Sequence, residues 1–162
     1  CWLARDAPPG ALGAVVTFGT PGPRAMSLPR RALAAATIAV ARALGRFPAR
    51  LLRLGSEDEA PGIVAEWMSW NVRGGWVGTD GFDYLAALPR LTTPFLSVAG
   101  ARDRLRAPPD ACRQLVEAAG APAKELVVCG ARLSHRGLLR DPRARERCWP
   151  RVATWLADIL TP

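Results

Sequence analysis

One histidine, His135, and one lysine, Lys124, are all the chain has of either residue in 162 positions. A single histidine cannot complete a histidine-rich metal centre, and the cysteines Cys1, Cys112, Cys129 and Cys148 lack the C-x-x-C spacing of a zinc site. No metal and no cofactor is therefore expected. A disulfide framework is not expected either in a chain with this much apolar material; one bond stays open, and Cys129 reads as a small core residue. Long hydrophobic runs are missing as well. The longest, residues 32–43, is interrupted by Thr37 and Arg42 and is too short to span a bilayer, so no transmembrane segment is expected. No secretory leader is visible, and the setting favoured is cytoplasmic.

What is present is the composition of one globular domain with a real core, 49% hydrophobic and 22% charged. A net charge of +8 would ordinarily suggest nucleic acid or an acidic membrane surface as partner. Almost all of that charge is arginine in a background rich in Ala, Gly and Pro, the bias of a GC-rich coding sequence. The densest group, Arg140, Arg143, Arg145, Arg147 and Arg151, has no interleaved aromatics on which bases could stack, so no nucleic-acid partner is expected. The chain opens on Cys1 rather than Met, and residues 1–6 read as the tail of an amphipathic helix already under way. A fragment or processed product is the expectation.

Residues 13–19 form a short β-branched and aromatic run closed by Thr20-Pro21-Gly22-Pro23, a strand followed by a hard turn. The next strand signal comes only at Pro94, so the intervening stretch must carry structure of its own. Residues 30–44 are good helix formers ended by Gly45, and residues 62–72 place Ile63, Trp67 and Trp70 on one helical face. Between them Ser56-Glu57-Asp58-Glu59 reads as a helix cap with an acidic first turn, in preference to a metal site with Glu66.

Residues 95–100 and 125–130 are apolar runs of the kind buried on both faces of a parallel sheet. A helix over 111–119 lies between them, with Asp110 as its cap, and a final helix from about 144 to 160 carries Cys148, Val152, Trp155, Leu156 and Ile159 at helical spacing. Right-handed crossovers make the three strands parallel neighbours. The loops at the carboxyl ends of such strands collect chemistry. The first run leads into Asp103 and the second into His135, which together would form the orienting acid and general base of a nucleophilic triad. The plainer alternatives are a surface histidine and a solvated aspartate between Arg102 and Arg104.

This ordered set resembles the C-terminal half of an α/β-hydrolase. The resemblance rests on Gly100-Ala101-Arg102-Asp103 after one strand, on His135 after the next, and on a closing helix with Trp149-Pro150 and Trp155-Leu156. Phe18-Gly19-Thr20-Pro21 is similar to the end of the strand that family places after its nucleophile helix, and the helical block occupies the position of its cap. The resemblance implies an α/β fold with a three-stranded parallel sheet edge, divided into 1–24 (end of the nucleophile helix and first strand), 25–92 (cap or lid) and 93–162 (core with acid and base). It implies an esterase-like or lipase-like acyl hydrolase with Asp103 and His135 catalytic and a small ester or acyl substrate. Trp67, Trp70, Trp76, Phe82 and Tyr84 would line its acyl pocket or else pack the insertion's own core.

The family's nucleophile elbow, Gly-x-Ser-x-Gly, is absent from this sequence. Ser27, Ser56, Ser69, Ser97 and Ser134 do not stand where it would be. The missing N-terminal half of the same fold is thus the implied partner, and the chain alone is expected not to catalyse. Two other readings stay open. Cys1 would be an N-terminal nucleophile with its own amino group as base, or the chain would be a non-catalytic fragment pairing through the Val15 strand with another polypeptide.

Overall fold

The structure is a computed structural model that describes residues 5, 8, 10–22, 26–55 and 57–161. The chain divides into two compact units, one formed by residues 1–22 and 84–162 and the other by residues 23–83. Apart from Arg5, the helix tail expected at the start of the chain lies outside the described residues.

The first unit is built on three parallel strands in the order β1 (Val15–Phe18), β2 (Phe95–Gly100) and β3 (Lys124–Cys129). Val15 pairs with Phe95, and Phe95 in turn with Lys124, so the carboxyl ends of the strands lie together. This is the expected strand order and direction. Every residue of β2 is buried, and the strand's twofold periodicity sends alternate side chains into two different cores. Leu96 and Val98 pack with Val127, Cys129, Leu133, Leu138, Ala144, Cys148 and Val152. Ala99 points the other way and packs with Ala107, Cys112 and the half-buried Leu126.

Helices cover each face. Across the first unit these are α3 (Tyr84–Ala87) with the 3-10 turn Leu88–Arg90, α4 (Pro109–Ala118), α5 (Gly137–Arg140), α6 (Pro142–Arg147) and α7 (Trp149–Leu160), numbered after α1 (Leu28–Ala43) and α2 (Pro61–Arg73) of the second unit. In α4, Ala111, Cys112, Leu115 and Val116 are buried at helical spacing. Its start differs from expectation: Asp110 sits inside the first turn and Pro108 holds the cap position. The closing helix is two helices rather than one. Asp141 caps α6 by accepting from the Arg143 amide at 2.9 Å, and the run breaks at Cys148, where Pro150 restricts the preceding backbone and lacks an N–H to donate.

The break at Cys148 sets its sulfur against that of Cys129, and the two form a disulfide with Cα atoms 5.8 Å apart. Cys129 is thus a core residue, as expected, but a bonded one.

In the second unit α1 packs against α2. The apolar face of α2 is not the expected one. Val64 is its buried residue while Ile63 and Trp67 are exposed. No helix starts at Glu57-Asp58-Glu59, because α2 begins only at Pro61 with Ala60 before it. Glu59 instead makes an antiparallel bridge with Phe47, and Asp58 pairs with Arg46 at 3.0 Å. Ser56 lies outside the described residues. Among the described residues no helix is long and apolar enough to cross a membrane.

The disulfide closes a loop with a sequence separation of 19, for which the chain-entropy model gives about 3 kcal/mol of stabilisation. Reduction is expected to lower the melting temperature by about 10 °C. Thermal unfolding followed by circular dichroism with and without a phosphine reductant measures this, and an unchanged melting temperature would contradict it.

Candidate active site

Asp103 follows β2 and His135 follows β3, and the structure brings their side chains together. His135 Nδ1 lies 2.8 Å from Asp103 Oδ2. An ionised carboxylate only accepts, so the Nδ1–H of the imidazole donates and Nε2 is left to accept a proton. The two groups differ in exposure, the Asp103 side chain being 3% exposed and that of His135 34%. The carboxylate is enclosed and the imidazole is partly open to solvent.

Local backbone chemistry holds Asp103 in place. Its amide donates to the Gly100 carbonyl at 2.9 Å, closing a turn at the end of β2. Its second oxygen, Oδ1, accepts from the Arg106 amide at 3.0 Å. Both carboxylate oxygens therefore have a donor, which satisfies a charge buried this deeply. Arg104 and Arg106 are both exposed, and the described contact to Asp103 comes from the Arg106 backbone.

The His135 loop is anchored on either side of the ring. Leu133 and Leu138 are both buried in the first core, and the Leu133 amide donates to the Gly130 carbonyl at 2.9 Å. The Trp149 indole N–H donates to the Leu138 carbonyl at 3.0 Å, tying the loop to the start of α7. The guanidinium of Arg145 lies 5.6 Å from the centre of the Trp149 ring and covers its outer face.

Two glycines make room for this arrangement, a role that reading the sequence did not assign to them. A Cβ on Gly100 would lie 2.6 Å from the Leu133 carbonyl oxygen, so the His135 loop can cross the end of β2 only over a glycine. Gly19, at the end of β1, has φ +60°, and a Cβ there would lie 2.8 Å from Nδ1 and 2.9 Å from Cε1 of His135. The only available signal was their shared position at the carboxyl ends of successive strands.

Cys112 lies in the core beneath the site and is a free thiol. Burial foremost, and then the negative charges of Asp103 and Asp110, push it up to about 11. It stays protonated at neutral pH and is no nucleophile. Among the aromatics expected to line a pocket, Trp70 and Trp76 pack on each other with ring centres 6.1 Å apart, and the Trp70 indole donates to the Val77 carbonyl at 2.7 Å. Trp67 is 49% exposed. Phe82 belongs to the same unit, whereas Tyr84 opens α3 of the other.

No protein-family model matches the sequence, and no curated protein does. Solved structures do match the fold. A monoacylglycerol lipase from Paleococcus ferrophilus is similar at a TM-score of 0.60 and 14% identity, over 93% of this chain and 61% of its own. A protein described as a non-heme bromoperoxidase, BpoC from Mycobacterium tuberculosis, is similar at 0.53 and 18%, over 97% and 61%. A thermophilic esterase from Thermogutta terrifontis is similar at 0.53 and 15%, over 93% and 58%. The chain has the α/β-hydrolase fold in part, three parallel strands with their flanking helices. It spans about three-fifths of the length of the structures it matches, in their C-terminal part.

Gly19→Ala is expected to push the imidazole off Asp103, since the new methyl meets the ring and the left-handed backbone costs a non-glycine residue about 1–2 kcal/mol. The Nδ1–H proton resonance, shifted downfield by its bond to a carboxylate, should disappear or move upfield in the variant; an unchanged spectrum would contradict the contact. In the folded chain at pH 8, Cys112 should resist iodoacetamide and become reactive on unfolding. The same shift makes stability fall as pH rises from about 9 to about 11, where the unfolded thiol ionises and the folded one does not.

Proposed function

We propose that this chain is the C-terminal portion of a serine-type acyl hydrolase, in which Asp103 is the orienting acid and His135 the general base. The observation that carries this reading is the 2.8 Å hydrogen bond between Nδ1 of His135 and Oδ2 of Asp103, made by loops leaving adjacent parallel strands. An enclosed carboxylate fixes the imidazole in the tautomer whose Nε2 can accept a proton. A serine hydroxyl attacking an ester carbonyl would pass its proton to Nε2, and Asp103 would stabilise the imidazolium formed. The imidazolium would then protonate the leaving alkoxide as the tetrahedral intermediate collapses. A water would repeat the cycle on the acyl-enzyme. This chemistry draws on no cofactor.

The nucleophile of this scheme is not among the residues of the sequence, which has no Gly-x-Ser-x-Gly. It would come from the N-terminal half of the same fold, pairing along β1. Two facts support that partner. β1 is an edge strand of the sheet, and the chain spans only 58–61% of the length of the structures it resembles. The second unit would serve as cap, and its Trp67, Trp70, Trp76 and Phe82 would offer apolar surface to an acyl group.

In the complete polypeptide, Asp103→Asn and His135→Ala are each expected to lower kcat for p-nitrophenyl ester hydrolysis by about 10⁴-fold, because either change destroys the base or its tautomer. Circular dichroism should show the fold retained. Wild-type turnover in either variant would overturn the assignment.

A further inference from the structure

The second unit carries a feature that acyl transfer does not use. From the last turn of α1 to the Phe47–Glu59 bridge, and through the turn that follows, the sequence Arg42-Ala43-Leu44-Gly45-Arg46-Phe47-Pro48-Ala49-Arg50-Leu51-Leu52-Arg53-Leu54 contains four arginines and no acid. Leu44, Leu51, Leu52 and Leu54 are all exposed, Leu51 at 81%. Exposed leucines concentrated in one short ordered segment put more apolar surface into water there than scattered surface leucines do.

The turn is built to hold them there. Ala49 is buried, and its carbonyl accepts from the amides of Leu54 at 2.8 Å and Gly55 at 3.2 Å, drawing residues 49–55 into a closed loop. The Phe47 amide donates to the Glu59 carbonyl at 2.9 Å and the Glu59 amide returns a bond at 3.0 Å, pinning the base. Asp58 accepts from the Arg50 amide and pairs with the Arg46 side chain, so Arg46 is the arginine whose charge is locally balanced. Arg53 has φ 56°, the one described residue other than glycine in the left-handed region. Glycine would take that conformation at lower cost. An arginine at a position that favours glycine is a strained residue, and strain of this kind collects at ligand sites.

We propose that residues 44–54 seat this unit on an anionic lipid surface, the leucines entering the acyl boundary while Arg42, Arg50 and Arg53 meet the headgroups. Charge complementarity selects the occupant. Arginines interleaved with protruding leucines match a negatively charged plane with apolar material just beneath it. A lipid boundary also takes in exposed side chains without needing a complementary groove, as a folded protein partner would. The proposal is independent of the hydrolase reading, since it uses none of the residues of the Asp103–His135 site.

The test is flotation of the 162-residue chain with vesicles of equimolar phosphatidylcholine and phosphatidylglycerol, and with pure phosphatidylcholine. The chain should float with the first and stay behind with the second. Arg50→Gln should lower partitioning about fivefold, and Leu51→Ser about tenfold or more. Arg53→Gly separates binding from folding: its melting temperature should be equal or higher, while partitioning falls about fivefold. The proposal is overturned if the chain fails to float with anionic vesicles or floats equally well with neutral ones. Anionic binding that all three variants retain would assign it to the general excess of positive charge and overturn the proposal too. So would failure to bind vesicles together with a concentration-dependent dimer that Leu51→Ser dissolves, since the leucines would then be covered by a second copy.

Discussion

Everything in the sheet-bearing unit depends on β2 being buried along its whole length. A strand enclosed on both faces needs a packed layer on each, and the two cores that meet at β2 supply them, one under α6 and α7, the other under α4. Each fully buried leucine or valine contributes about 1.5–3 kcal/mol. Because Leu96 and Val98 are fixed by that packing, the turn at Gly100 has one place to begin, and the depth of Asp103 follows from it. The position of the acid is a consequence of core packing several residues upstream.

Much of this was legible from residue types alone. The runs 95–100 and 125–130 are apolar without alternation, as strands in a parallel sheet are, and the helix between them is marked by Pro108-Pro109 and Gly120. Those two assignments bring Asp103 and His135 to one end of the sheet, as the structure does. The spaces left empty for the histidine were not legible. Nothing in the symbols Gly19 and Gly100 says that an imidazole or a carbonyl will lie where a Cβ would be, since both neighbours come from the loop after β3. One disulfide was left open by the sequence, but its pairing was not legible for a related reason: Cys129 fits the pattern of a buried strand whether or not it is bonded, and its partner is set by the helix break at Cys148.

The misread helix face and acidic turn have a different cause. Ile63, Trp67 and Trp70 do share a helical face, but periodicity reports only that residues align, not which face is covered. In α2 the residue buried is Val64. Glu57-Asp58-Glu59 has the composition of a helix start, yet tertiary pairing with Phe47 and Arg46 claims those residues first. Local propensity yielded to contacts with a segment about a dozen residues away.

The disulfide makes the segment that bears His135 a covalent ring, with one anchor at the end of β3 and the other at the start of α7. A ring whose two attachment points are set by buried cores can change in its perimeter without disturbing either. Apart from the buried Leu133, Leu138 and Ala144 and from His135 itself, the exposed positions of residues 131–147 are thereby a place where substitutions can accumulate over evolutionary time while the sheet register stays fixed. Diversity in what approaches the histidine could arise on this side of the molecule without remaking the framework that carries it.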